Sequence, residues 1–355
     1  MWRFDDAPDR VFGGDPADSA AWLGAADIVS WLPAARVAVT IPGLNTVRVY
    51  DLLGRALFEF GSAGRASGRF TPIGSLWVTP GGNLAVAARR DGSIELFDSA
   101  GSFAGRLVLE DVPSLLRTVP IGGFSDGSIA AWSPASQQVL PDPGTRLRDT
   151  LIVARFDSAG RFTRELARVA GFRYVVFDDG GGARQIAAPF AGPAAAVVHD
   201  SLLIVAETDR PGLLEISTAG DTIRAIRWAA PVPVTEVMRQ EFAAFLLASA
   251  EPSQGALVGR FLDVAGFPDR LPAVRSILVD DRGNRWVEPW RLPWDSAADW
   301  TVIDSAGRWL GRVPVPRSFR PAAFRADQVL GLFTDPDGTP RPAIHTLRRQ
   351  SPPPS

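Results

Sequence analysis

Residues 70–107 read FTPIGSLWVTPGGNLAVAARRDGSIELFDSAGSFAGRL. Three short apolar-alternating runs sit between turn signals, the pattern of consecutive antiparallel strands. Pro80-Gly-Gly-Asn83 and Arg90-Asp-Gly-Ser93 read as hairpin turns, because glycine supplies the positive φ that such turns require. The stretch closes on Asp98-Ser-Ala-Gly101, and that tetrapeptide recurs at Asp157–Gly160 and Asp304–Gly307, with looser copies at Asp51–Gly54 and Ser217–Gly220. The closing turns begin at 51, 98, 157, 217 and 304, so their spacings are 47, 59, 60 and 87 residues. A strand–turn–strand unit repeated at this period is the mark of a β-propeller blade.

Working outward, the other units fall into place. Arg36–Ile41 (RVAVTI) and Thr46–Tyr50 (TVRVY), split by the turn Pro42–Asn45, form the unit before. The unit after holds Ser128–Trp132, a Pro-rich excursion at 134–143 and Leu151–Phe156; Phe172–Phe177 and Arg184–Ala188 read as a separate hairpin about Asp178–Gly182. The fourth unit holds Ala194–Val198, Leu202–Glu207 and Leu213–Ile216, the fifth Ser276–Val279, Arg285–Glu288 and Asp299–Ile303, and the sixth Gln328–Thr334 and Ala343–Arg348. The regularity breaks after Trp228. Thr235 is placed to N-cap a helix, and Met238, Phe242, Phe245 and Leu246 fall on one helical stripe. A helical insert over about 235–264 accounts for the long fourth spacing. The sixth unit lacks a fourth strand, while residues 1–24 offer an orphan one. Pairing the two removes two open sheet edges at once. The expected fold is therefore all-β: one six-bladed β-propeller over 1–350, its N-terminal strand closing the last blade, a helical insert between blades four and five, and a disordered tail at 351–355.

Composition narrows the functions. The chain has no cysteine, which excludes disulfides, thiolate metal sites and cysteine nucleophiles. The formal charge is −2, so there is no basic field for nucleic acid or an anionic membrane. No apolar run approaches the length of a membrane span, and Met1–Asp6 does not read as a signal peptide. All 37 basic residues are arginine. Codon composition explains that most simply; arginine chosen for planar anion contacts is the second explanation.

Phe70, Pro72, Gly82-Asn83-Leu84, Val86, Ile94, Phe97-Asp98 and Gly101 resemble the NHL-type repeat of six-bladed propellers. The whole chain is similar to a large bacterial group of exported six-bladed propellers of undefined function, in which a helical insert and a Trp-rich penultimate blade are familiar. The resemblance implies an extracytoplasmic protein, periplasmic or at the cell surface. The repeat's Val-x-Asp carboxylate is replaced here by Ala88, so the ligand contacts of that position are lost.

Several motifs carry possible chemistry. Gly123-Phe-Ser-Asp-Gly127 fits G-x-S-x-G, but it leads into a strand rather than a helix and reads as a β-turn. His199 and His345 lie far apart in sequence, in structural settings. Glu207 and Glu288 both end the second strand of their units, where equivalent positions ring the mouth of the channel. Two carboxylates there could hold a divalent cation such as Ca²⁺ or act as acid and base; the plainer reading is two solvated acids paired with Arg210 and Arg291. Arg89 stands at the matching position of the second unit. Five of the eleven tryptophans fall between 286 and 309. Trp286 and Trp300 alternate with apolar residues and read as core, whereas Trp290 and Trp294 flank Pro293 in a loop and could face a ligand. The expected binding set is Glu207, Glu288, Arg89, Arg210, Arg291, Trp290 and Trp294, with no catalytic residue and no required cofactor. The expected function is a monomeric, non-catalytic module for a protein or small-molecule ligand at the channel face. A metal-assisted hydrolase or lyase of the lactonase-like propeller type is the alternative.

Overall fold

The computed structural model describes residues 2–5, 7–13, 23, 25–89, 92–115, 117–134, 141–192, 194–207, 211–228, 231–295 and 297–349. The expected tail at 351–355, Arg210 and the Arg90–Asp91 half of one hairpin turn lie outside them.

Strand formation follows the apolar alternation and the turn residues. The first sheet is Val29–Leu32, Arg36–Ile41, Thr46–Asp51 and Ala56–Phe60 in sequential order. The second is Ile73–Val78, Leu84–Ala88, Ser93–Phe97 and Phe103–Val108. Sequential four-stranded sheets begin again at Ala195–His199 and at Val274–Val279. The second strand of each is buried on both faces, as in Leu84–Ala88, whereas the fourth is largely exposed, as in Phe103–Val108. That gradient explains why the second strands read as unbroken apolar runs (LAVAA, LLIVA) and the outer ones carry arginine.

The third sheet differs from expectation. The expected hairpin about Asp178–Gly182 forms, with Phe177 opposite Arg184, but it is not a separate unit: Phe172–Phe177 is the far half of a 17-residue strand, Phe162–Asp178, that also pairs with the 11-residue Arg146–Phe156. With Ala183–Ala187 the sheet has five strands. Register shifts at Arg148/Thr150 and Val153/Ala154 let the long pair bend without ending. Gly171 lies within this strand, where a Cβ would sit 2.8 Å from Asp149 Cβ.

The sixth sheet takes Phe319–Arg325, Gln328–Thr334 and Pro340–Thr346, and its fourth strand is Arg10–Val11 from the other end of the chain, with Arg10 opposite Ile344 and Val11 opposite Ala343. Trp2–Arg3 pairs separately with Arg348–Arg349. The N-terminal region therefore supplies two strand segments rather than one.

The core is not one cluster but a series between neighbouring sheets. Val47 and Val49 pack with Ile73 and Val86; Ile204 and Leu213 with Ile277 and Val287; Trp300 and Val302 with Phe319 and Val329. Leu330 and Ile344 of the sixth sheet meet Val37 and Tyr50 of the first. The first strands of consecutive sheets touch in a cycle that returns to its start. Sheets arranged radially about an axis and closed on themselves make a β-propeller.

Four of the closing turns and the turns at Asp280 and Asp335 are built the same way. In Asp51, Asp98, Asp157, Asp280, Asp304 and Asp335 one carboxylate oxygen accepts backbone N–H bonds from residues two and four positions on, at 2.8–3.1 Å. The glycine three positions on holds φ between +74° and +88°, which only glycine adopts without strain. Arg55, Arg161 and Arg308 then reach the second oxygen of their aspartate at 2.6–2.9 Å. The recurring tetrapeptide is thus an Asx turn with a glycine hinge. Backbone N–H bonds, with the arginine, hold the Asp157 and Asp304 carboxyls below the usual range. A carboxyl depressed in the folded state stabilises the fold above its unfolded pKa and loses that effect as pH falls through the folded value. Asp157→Ala should therefore lower the melting temperature at pH 7 and have a smaller effect near pH ~3; an equal effect at both would contradict the turn's role.

Two α-helices, α1 (Glu236–Ser249) and α2 (Gly255–Ala265), follow the strand Thr222–Arg227 and precede Val274–Val279. Thr235 caps α1, its hydroxyl accepting from Met238 N at 3.3 Å. The expected apolar stripe is only partly covered: Phe242 packs against Phe190 and Phe267, at ring distances of 4.8 and 5.9 Å, but Phe245 is 42% exposed. No helix among the described residues is long and apolar enough to cross a membrane.

His345 is 1% exposed, wedged 4.3 Å from the Phe319 ring and 5.7 Å from that of Phe4. Neither ring nitrogen has a hydrogen-bond partner among the described residues. Burial pushes its pKa down, with Asp9 and Asp5 opposing. Because the folded value lies below the unfolded one, stability is full above about pH 6.5 and falls as pH drops through the window between them. The melting temperature should fall between pH 7.5 and 5, and His345→Phe should flatten that slope; an unchanged slope would refute the assignment.

Candidate functional site

In an antiparallel sheet the start of the first strand lies beside the end of the second, so Ser276 is opposite Glu288 and Ile73 opposite Ala88. The residues at these strand ends share one face of the ring. On that face a cavity of about 620 Å³ opens over the fifth and sixth sheets and the segment entering the first. Its charged lining is Arg275, Arg291, Arg317 and Arg320 against Glu288, Asp27 and Asp295.

Glu288 is the best-buried of these, at 4% exposure. One carboxylate oxygen accepts from the Ser276 hydroxyl at 2.7 Å. The other lies 3.0 Å from Arg291 Nε and 3.5 Å from Arg275 Nη1. Arg291 is itself mostly buried, and desolvation holds its pKa below the usual arginine range; the nearby Arg275 and Arg317 charges act in the same direction, and Glu288 and Asp295 oppose them. The loop carrying Trp290 and Arg291 is pinned by a turn, with Leu292 N donating to Asp295 Oδ2 at 2.6 Å and Arg317 Nη1 donating to the Asp295 carbonyl at 2.9 Å. Trp290 lines the cavity and rests on Gly192, where a Cβ would come within 2.6 Å of the ring.

Across the cavity, Arg320 Nη2 donates to the Asp27 carbonyl at 2.9 Å, and its guanidinium is 3.8 Å from the Asp27 carboxylate. Arg89 pairs with the same carboxylate at 3.3 Å. Ala26 N donates to the Pro340 carbonyl, which fixes this segment to the sixth sheet.

Of the expected set, the structure gathers Glu288, Arg291 and Trp290 around this cavity and brings Arg89 to it through Asp27. Glu207 is not among them. It lines a separate cavity of about 170 Å³ over the outer two strands of the fourth sheet, with Gly212 and Arg227. Glu207 follows the end of its strand, whereas Glu288 lies within one, opposite Ser276, and this difference separates two positions that look equivalent in sequence. Trp294 is 36% exposed and is not part of the lining, although its neighbour Pro293 is. Sequence reasoning missed Asp27, Arg275, Arg317 and Arg320. All four stand at or just before the start of a first strand, so the pairing rule that picked out Glu288 also points to them.

The other motifs take structural roles. Within Gly123–Gly127, Gly127 N donates to the Phe124 carbonyl and Asp126 accepts from Ser128, an ordinary turn. His199 sits 3.5 Å from Asp200. Among the described residues, no three histidine, aspartate or glutamate side chains are gathered where a metal ion could sit.

No family model matches the chain, and no curated protein matches it. Solved structures do. A member of the duf4221 family from Bacteroides vulgatus aligns over 97% of this chain and 98% of its own, with a TM-score of 0.54 and 10% identity. A candidate exported protein from Bacteroides fragilis aligns over 98% of both chains, with a TM-score of 0.51 and 8% identity. A gluconolactonase from Xanthomonas campestris aligns over 97% of this chain and 96% of its own, with a TM-score of 0.51 and 13% identity. At these identities the likeness is one of fold, and it covers nearly the full length.

Proposed function

We propose that the chain is a six-bladed propeller built on NHL-type repeats, with α1 and α2 inserted between blades four and five, and that it serves as a non-catalytic binding module for a small molecule held in the cavity around Glu288. An extracytoplasmic, monomeric protein fits this reading; the likeness to the Bacteroides fragilis structure supports the location. The observation that carries the function is the bonding of Glu288. Its carboxylate is neutralised by Arg291 and Arg275 and bonded by Ser276, so it organises the cavity wall instead of offering charge to a cation. The cavity volume falls in the range of small-molecule sites, roughly 300–1,000 Å³.

A metal-assisted hydrolase or lyase is the competing reading. It would need oxygen ligands free to surround a cation, whereas the cavity's guanidinium groups oppose one. Thermal-shift measurements with Ca²⁺ and Mn²⁺ and with a small-molecule panel separate the two. We expect neither ion to raise the melting temperature and at least one small molecule to raise it in a manner lost in Trp290→Ala. A metal-dependent rise that Glu288→Gln removes would overturn the binding-module reading.

A further inference from the structure

The Glu288 cavity carries more guanidinium groups than carboxylates, and that weighting specifies a ligand. We propose that it takes a small molecule bearing an oxyanion, a carboxylate or a phosphate, gripped by Arg275, Arg317 and Arg320. The proposal rests on the reading of this cavity as the binding site.

Four guanidinium groups line the cavity against three carboxylates, and Arg89 adds a fifth at Asp27. The two best-placed acids are already shared. Glu288 faces both Arg291 and Arg275, and Asp27 faces both Arg89 and Arg320. Arg317 bonds a backbone carbonyl, which accepts a hydrogen bond but cancels no full charge. A guanidinium carries five N–H donors in a planar fork. The contacts above use only a few of those on Arg275, Arg317 and Arg320, and all three side chains are exposed rather than packed away.

The buried pair beneath them works differently. Arg291, mostly withdrawn from solvent and joined to Glu288 at 3.0 Å, cannot turn outward without leaving that carboxylate behind. It acts as a fixed positive backing to the cavity floor. A bound oxyanion would relieve the mutual repulsion of Arg275, Arg291 and Arg317, which a cation or a neutral ligand would leave in place. Trp290 supplies one apolar wall beside the charged rim, so the rest of the molecule can be a flat or ring-shaped group.

The test is isothermal titration of the full chain with three probes: citrate, inorganic phosphate and glucose. We expect citrate or phosphate to bind with a Kd of about 1 mM or tighter, and the preference between them assigns the oxyanion as carboxylate or phosphate. Affinity should drop about tenfold in Arg275→Gln and in Arg320→Gln, and stay unchanged in Arg312→Gln on an exposed outer strand. It should also weaken with added NaCl in the unmodified protein, a readout that does not depend on any variant folding. Anion binding indifferent to both substitutions and to salt would overturn the proposal. Binding of glucose alone, lost in Trp290→Ala, would overturn the oxyanion while keeping the cavity as the site. Binding of none of the three probes would overturn the oxyanion proposal and leave the binding-module reading to be judged by the thermal-shift panel.

Discussion

Glu215→Ala should cost about 3–5 kcal/mol of folding stability, among the largest effects available to a single substitution in this chain. Glu215 lies in the third strand of the fourth sheet and Arg285 in the second strand of the fifth. They meet at 2.6 Å, with side chains 2% and 4% exposed. Arg285 also donates to the Gly283 carbonyl, and Arg224 stands 3.7 Å from the other Glu215 oxygen. Removing the carboxylate leaves a guanidinium desolvated and unpaired between two sheets. Replacing both partners by apolar residues of similar volume, as in Glu215→Leu with Arg285→Met, leaves no such orphan and should cost far less than the sum of the two single changes. Urea unfolding of the two single variants and the double variant measures this directly. Additive losses would show that the pair does not act as a unit.

The architecture was readable because it rests on local chemistry repeated several times. Asp at the first position of a turn accepts two backbone N–H bonds, glycine at the fourth takes positive φ, and the next strand resumes; each copy at 98, 157 and 304 does this independently. The N-terminal closing strand was readable for the same reason, since a sheet edge and an orphan strand each need a partner. The long third-sheet hairpin was not, because its continuity depends on bulges and on the clearance of Gly171 against Asp149, which no periodicity records.

The candidate site was legible in part. Position at the end of a second strand identified Glu288 and Arg89, and loop tryptophans beside proline identified Trp290. What failed was the step from equivalent sequence position to shared space. Glu207 and Glu288 look like partners, yet each lines its own cavity. The actual companions of Glu288 come from the beginnings of strands in its own sheet and the next, and from Asp27, more than 250 residues away in sequence. Ring closure brings Asp27 there. Closure was foreseen as a matter of edges, and its consequence for the site is that the sixth sheet delivers the chain's first and last units to one cavity.

The tryptophan cluster gives the second large prediction, because two members four positions apart have opposite roles. Trp286 is 2% exposed, stacks on Phe324 at 4.6 Å, meets Trp2 at 5.7 Å and donates from Nε1 to Asp280 Oδ2 at 2.9 Å. Trp286→Ala would open a large cavity between the fifth and sixth sheets and remove a donor from the Asp280 turn. A loss of about 3–5 kcal/mol is expected from the cavity alone. Trp286→Phe keeps much of the packing but not the N–H, so it should fall between, with a further cost of roughly 1 kcal/mol for the lost hydrogen bond. Trp290 has the opposite role. It lines an open cavity and rests on the backbone of Gly192, so Trp290→Ala should leave most of the stability intact and act on ligand binding. Denaturant midpoints for the three variants, read beside their response to citrate and phosphate, separate core from site. If Trp290→Ala unfolds as readily as Trp286→Ala, the cavity wall is structural, and the division of this cluster into a buried wedge and a ligand-facing ring is wrong.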